Sequence, residues 1–169
     1  TLVEAPAVVV LALAATPMPL VEAWCSKDSE LGVAGHKHGR EVVRFTKGDD
    51  LSKPETLRRA MQAVRTRRGT HVHGAIPCTP WNSWQRINLA KAKPETRQRI
   101  MDDRAQSLEY VSTYCRLARA AISRGGSASF EWPRYCEGWK TQAVMDMIKY
   151  LNLVLVDVDG CSVGVKSKK

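Results

Sequence analysis

The chain has no C-x-x-C pair and no group of Cys and His at zinc-ligand spacing, which excludes a zinc-organised fold and leaves no metal site to name. Its five cysteines, Cys25, Cys78, Cys115, Cys136 and Cys161, are odd in number and far apart. That pattern excludes a disulfide scaffold and points to reduced thiols in an intracellular reducing compartment. No apolar run spans a bilayer: residues 5–15 are apolar, but Pro6 and the break Thr16-Pro17-Met18-Pro19 keep the run short. Internal repeats are absent, which excludes a solenoid. The loop after the first predicted strand holds one glycine, Gly32, too few for the glycine-rich turn that brings backbone against a phosphate.

What is present is enough apolar content for one packed core. Over 169 residues, 44% hydrophobic composition implies a single domain. The sequence does not begin with Met, so it reads as a processed form or a piece of a longer product. Residues 1–19 are then a leader remnant or an edge element, 20–165 the domain, and 166–169 a basic tail. The 26 Lys and Arg outnumber 17 Asp and Glu, a formal charge of +9 that suits nucleic acid, an acidic surface of a larger assembly, or a solubilising exterior.

Alternating and continuous apolar segments give the order of elements. Strands are expected at 20–24, 41–46, 70–76, 127–132 and 153–156, the last apolar throughout and so expected to be buried on both faces. Ser52 and Glu55 form an S-x-x-E capping box before a helix over 53–68, with Leu57, Ala60, Met61 and Val64 inward and Arg58, Arg59, Arg65, Arg67 and Arg68 outward. A long helix follows Pro94, its stripe read as Met101, Ala105, Leu108, Cys115, Ala118 and Ile122. Another runs over 141–151 with Val144, Met147, Ile148 and Leu151 inward. Strands alternating with helices predict an α/β fold, a doubly wound and mostly parallel sheet whose ligands bind at the carboxyl ends of the strands.

Two segments concentrate chemistry at those ends. Ile76-Pro77-Cys78-Thr79-Pro80-Trp81 places a thiol after the third strand, and Phe130-Glu131-Trp132-Pro133 places a carboxylate after the fourth. Cys78 is either a nucleophile or a small buried residue, and Glu131 either a catalytic carboxylate or half of an ion pair. The aromatic residues around both could form a base-stacking platform or a protein interface. His71 and His73 share a strand face, and His36 and His38 lie together, without a third ligand for a metal.

In order of elements, residues 20–165 resemble the catalytic core of DNA cytosine-5 methyltransferases, a Rossmann-like fold that uses S-adenosylmethionine. Val21 to Gly32 is similar in position to that family's cofactor loop, Pro77-Cys78 to its Pro-Cys motif, and Phe130-Glu131-Trp132 to its Glu-Asn-Val motif. The resemblance implies that Cys78 attacks C6 of a flipped cytosine while Glu131 holds the ring N3. It implies cofactor contacts from Glu22, Ser26, Asp28, Thr46 and Asp50. Nucleic acid would be gripped by Trp81, Trp84 and Arg86 and by Arg58, Arg65 and Arg68. At the level of short motifs, Ile-Pro-Cys-Thr-Pro-Trp, Phe-Glu-Trp-Pro and Asp-Gly-Cys also resemble an uncharacterised domain of dinoflagellate retroelement polyproteins, which implies lineage and no activity. A catalytically silent basic α/β subunit of a larger assembly is the competing expectation.

Overall fold

A computed structural model describes residues 17–158. Four strands, β1 (Leu20–Cys25), β2 (Val42–Thr46), β3 (His71–Gly74) and β4 (Ser127–Phe130), form one all-parallel sheet in the order β2-β1-β3-β4. Five helices accompany it: α1 (Glu30–Lys37), α2 (Pro54–Arg65), α3 (Trp84–Lys91), α4 (Pro94–Ile122) and α5 (Gln142–Leu151). The chain is therefore an α/β domain compatible with a Rossmann-like arrangement.

The register divides the sheet into two unlike faces. Val21, Ala23, Val43, Phe45, Val72, Gly74, Ala128 and Phe130 share one face, which meets α2 and α4 in the main core. Gly74 allows that approach, because a Cβ there would lie 2.6 Å from the ring of Tyr114 on α4. The opposite face carries Glu22, Arg44, His71, His73, Ser127 and Ser129. Helix α1 packs on this polar face over β1 and β2, with Gly32 against the Glu22 and Arg44 side chains and Gly35 against Val42 and Leu20. Successive polar residues at period two make the face polar; only a helix with small residues can sit so close to it.

Several elements differ from the sequence expectation. Ser52 does not cap α2: its hydroxyl bonds Asp50 Oδ1 at 2.6 Å, Lys53 occupies the N-cap, and the helix ends at Arg65 with Thr66 at its C-cap. The aspartate outcompetes the backbone for the serine. On α4 the buried positions are Ile100, Ser107, Val111, Thr113, Tyr114, Leu117, Ala118 and Ala121; of the expected stripe Ala118 is buried, Leu108, Cys115 and Ile122 pack half-buried against the core, and Met101 and Ala105 are exposed. Helix α5 explains the additional buried positions, since it packs on α4 and buries Val144, Met147 and Leu151 there, giving α4 more than one covered side. The expected fifth strand is not formed. After Asn152, in the left-handed conformation, residues 153–158 run without strand pairing, and Val154, Leu155 and Val156 are 84%, 69% and 69% exposed. Continuous apolarity marks a strand only where a partner edge receives it. Residues 1–16 and 159–169, with the tail and Cys161, lie outside the described residues.

Candidate functional site

A crevice of about 520 Å³ opens on the polar face, between the first turn of α1 and the carboxyl ends of β1, β3 and β4. The strand order places it where connections leave β1 in one direction and reach β3 from the other, the switch point at which open α/β sheets bind ligands. Glu22, Ser26, Ser29, His73, Ser129 and Glu131 supply its polar lining, together with Glu30 and His71; no Lys or Arg contributes. In a chain of net charge +9, this is an acidic concavity.

Glu22 is held from within. Its side chain is 1% exposed, its Oε1 accepts from the Ser29 hydroxyl at 2.5 Å, and its Oε2 lies 3.3 Å from Arg44 Nε. Arg44 also donates to the Lys27 carbonyl at 2.9 Å, which ties the loop between β1 and α1 to β2. Ser29 is the N-cap of α1 and its oxygen accepts from the Gly32 amide. One carboxylate thus fixes both the strand and the helix start. Trp24 bulges out of β1 with φ 61°, a conformation non-glycine residues rarely adopt. The bulge turns its ring into the α4 side of the core, 5.3 Å from Tyr110, where its indole N–H finds no partner among the described residues.

Along β3 and β4 the polar side chains form a ladder. Ser127 Oγ is 2.8 Å from His71 Nδ1, His71 Nε2 is 2.8 Å from Ser129 Oγ, and Ser129 Oγ is 2.8 Å from His73 Nδ1. His73 Nε2 then faces Glu131 Oε2 at 3.7 Å, an electrostatic contact rather than a hydrogen bond. A proton on His73 Nε2, toward the carboxylate, leaves Nδ1 to accept from Ser129; Ser129 then accepts from His71 Nε2, and His71 Nδ1 accepts from Ser127. In this sequence Ser129 and His71 each donate once and accept once between their neighbours, and Ser127 at the end donates only. Burial, reinforced by neighbouring His73, pushes His71 down to about 4, so it is neutral at pH 7. The His73 imidazole holds the Glu131 carboxyl below its ordinary value.

Of the residues expected at the site, Glu22, Ser26 and Glu131 are brought together in the crevice. Asp28, Thr46, Asp50 and Cys78 do not line it. Thr46 is bonded through its amide and hydroxyl to Asp49, and Asp50 accepts from the amide and hydroxyl of Ser52, so both shape the turn before α2. Cys78 is partly buried against the core and caps the 3₁₀ turn Thr79–Trp81. Burial pushes the neighbouring thiol of Cys136, and that of Cys25 at the end of β1, up to about 11.

Trp81 is not a stacking platform. It is buried, its indole N–H donates to Ser107 Oγ at 2.9 Å, and the Arg104 guanidinium covers its ring at 4.9 Å. Trp132 likewise donates to the Ile76 carbonyl at 2.7 Å and packs with Phe130 and Trp139. These rings build the core beneath the strand ends. Trp84, by contrast, is 70% exposed on α3 beside exposed Arg86, and Arg58, Arg65 and Arg68 are exposed on or just past α2. The His-Ser ladder was legible only as a shared strand face for the two histidines, since pairing with Ser127 and Ser129 depends on β3 lying beside β4.

No family model, no curated protein and no solved structure matches the chain. No group of three metal-binding side chains occurs among the described residues, and no described helix is long and apolar enough to cross a membrane.

Proposed function

We propose that the chain is a methyltransferase-like domain that acts on or binds nucleic acid and takes S-adenosylmethionine in the crevice of the polar sheet face. The observation that carries this reading is the lining of that crevice, carboxylates and hydroxyls without a cation. Such a lining repels a dinucleotide's pyrophosphate and suits a ligand bearing ribose hydroxyls and positive charge. The cofactor would supply an electrophilic methyl group. Ser26, Ser29 and Glu30 are placed to hold ribose or amino groups, while Glu22 sets the loop that carries them. Glu131, kept ionised beside His73, is placed to orient a substrate amine or ring nitrogen and to accept its proton. Trp84, Arg86, Arg58 and Arg68 offer the sequence-independent grip on nucleic acid.

Titration of S-adenosylmethionine by calorimetry tests this. A saturable isotherm that is weakened by Glu30→Gln supports it, and no heat at high micromolar ligand sinks it. A second reading, a catalytically silent binding subunit, is favoured by the position of Cys78 outside the crevice. It expects nucleic-acid affinity that falls steeply with salt and is unchanged in Cys78→Ala, with no cofactor binding.

A further inference from the structure

On the other side of the sheet, away from the crevice, α2 and α5 both pack on α4 and leave a groove of about 1020 Å³ between them over its outward face. Its floor is aliphatic and small: Met61 from α2, Leu108, Cys115 and Ala120 from α4, and Met147 from α5. Its rim carries Arg65, Arg116, Arg119 and Arg124, against Asp146 as the one carboxylate among the lining residues. None of these arginines is ion-paired among the described residues, and Arg119 lies over the exposed Tyr150 ring at 5.4 Å.

We infer that this groove is a docking site for an acidic amphipathic helix of a partner protein. The walls are helices and present no strand edge, so an extended peptide would find no backbone partners there, whereas a helix lays an apolar stripe on such a floor. Charge selects the partner: four guanidinium groups facing one carboxylate match a helix flanked by Asp and Glu and reject a basic one. Nucleic acid fits less well, because phosphates would use the rim and leave the apolar floor uncovered, and Tyr150, the one aromatic lining residue, has one ring face occupied by Arg119.

The test uses the chain with two labelled helical peptides of about 20 residues, long enough to cross the groove. Both carry the same Leu and Ile stripe, one flanked by Glu and one by Lys, and binding is read by fluorescence anisotropy. The Glu peptide is expected to bind at least about tenfold more tightly than the Lys peptide. Arg116→Glu with Arg119→Glu should reverse that preference. Ser112→Trp, at an exposed position on α4 within the groove, should abolish binding while leaving the circular dichroism and melting of the protein unchanged. Binding of neither peptide overturns the proposal. So does displacement of the Glu peptide by a duplex oligonucleotide whose own affinity ignores Ser112→Trp but falls in the arginine double variant, since the rim would then be a phosphate surface. Cofactor titration in the Ser112→Trp protein stays as in the parent, which separates this site from the crevice.

Discussion

Glu22 on β1 and Arg44 on β2 stand opposite each other in register, Oε2 and Nε 3.3 Å apart, with Gly32 of α1 packed directly over the pair. A buried carboxylate is tolerated there because Ser29 and Arg44 both compensate it.

Arg44→Met should therefore destabilise the domain by about 3 kcal/mol, since it leaves the Glu22 charge buried with only a hydroxyl. The double replacement Glu22→Leu with Arg44→Leu should recover most of that loss. Urea denaturation followed by tryptophan fluorescence measures both, and a double variant as unstable as the single one would show that the pair is not the cause. Gly32→Ala should cost about 1–3 kcal/mol by forcing α1 off the sheet.

His71 fixes a pH dependence. Its folded value, about 4, lies below the 6.5 of an unperturbed imidazole, so the unfolded chain binds the extra proton between those limits. Its contribution to stability is complete above pH 6.5 and is lost as the pH falls toward 4. Denaturation midpoints across pH 4 to 7 should slope downward on acidification, and His71→Asn should flatten that slope. An unchanged slope in the variant would assign it to other groups.

Ser107→Ala should cost about 1–3 kcal/mol, because the buried indole N–H of Trp81 loses its acceptor. Trp84→Ala should leave stability within about 0.5 kcal/mol while weakening single-stranded nucleic-acid binding by about 1–3 kcal/mol. Melting curves and anisotropy titrations on the same two variants separate core from surface tryptophan.

Leu155→Lys should change stability by less than about 0.5 kcal/mol and reduce self-association at high concentration, since Val154, Leu155 and Val156 expose an apolar run with strand propensity. Light scattering reads the second effect. A large loss of stability instead would mean that the segment is packed as a fifth strand in solution.

Periodicity and composition determined the α/β class, the parallel order of strands and helices, the inward face of α5 and the strand ends at which Cys78 and Glu131 fall. Those properties are local: a repeat of two or of 3.6 residues, a glycine stop or a short connection is written within a few neighbours in the chain. The sequence also determined that no glycine-rich phosphate turn follows β1. The tertiary structure decided which candidates share a site. It joined Glu131 to His73 and the two serines, spent Glu22 on Arg44, turned Trp81 inward onto Ser107, and withheld a partner edge from residues 153–158. Each of those outcomes depends on register between strands and on what packs across them, and a side chain's partner up to 58 positions away is set by that packing rather than by its own neighbours.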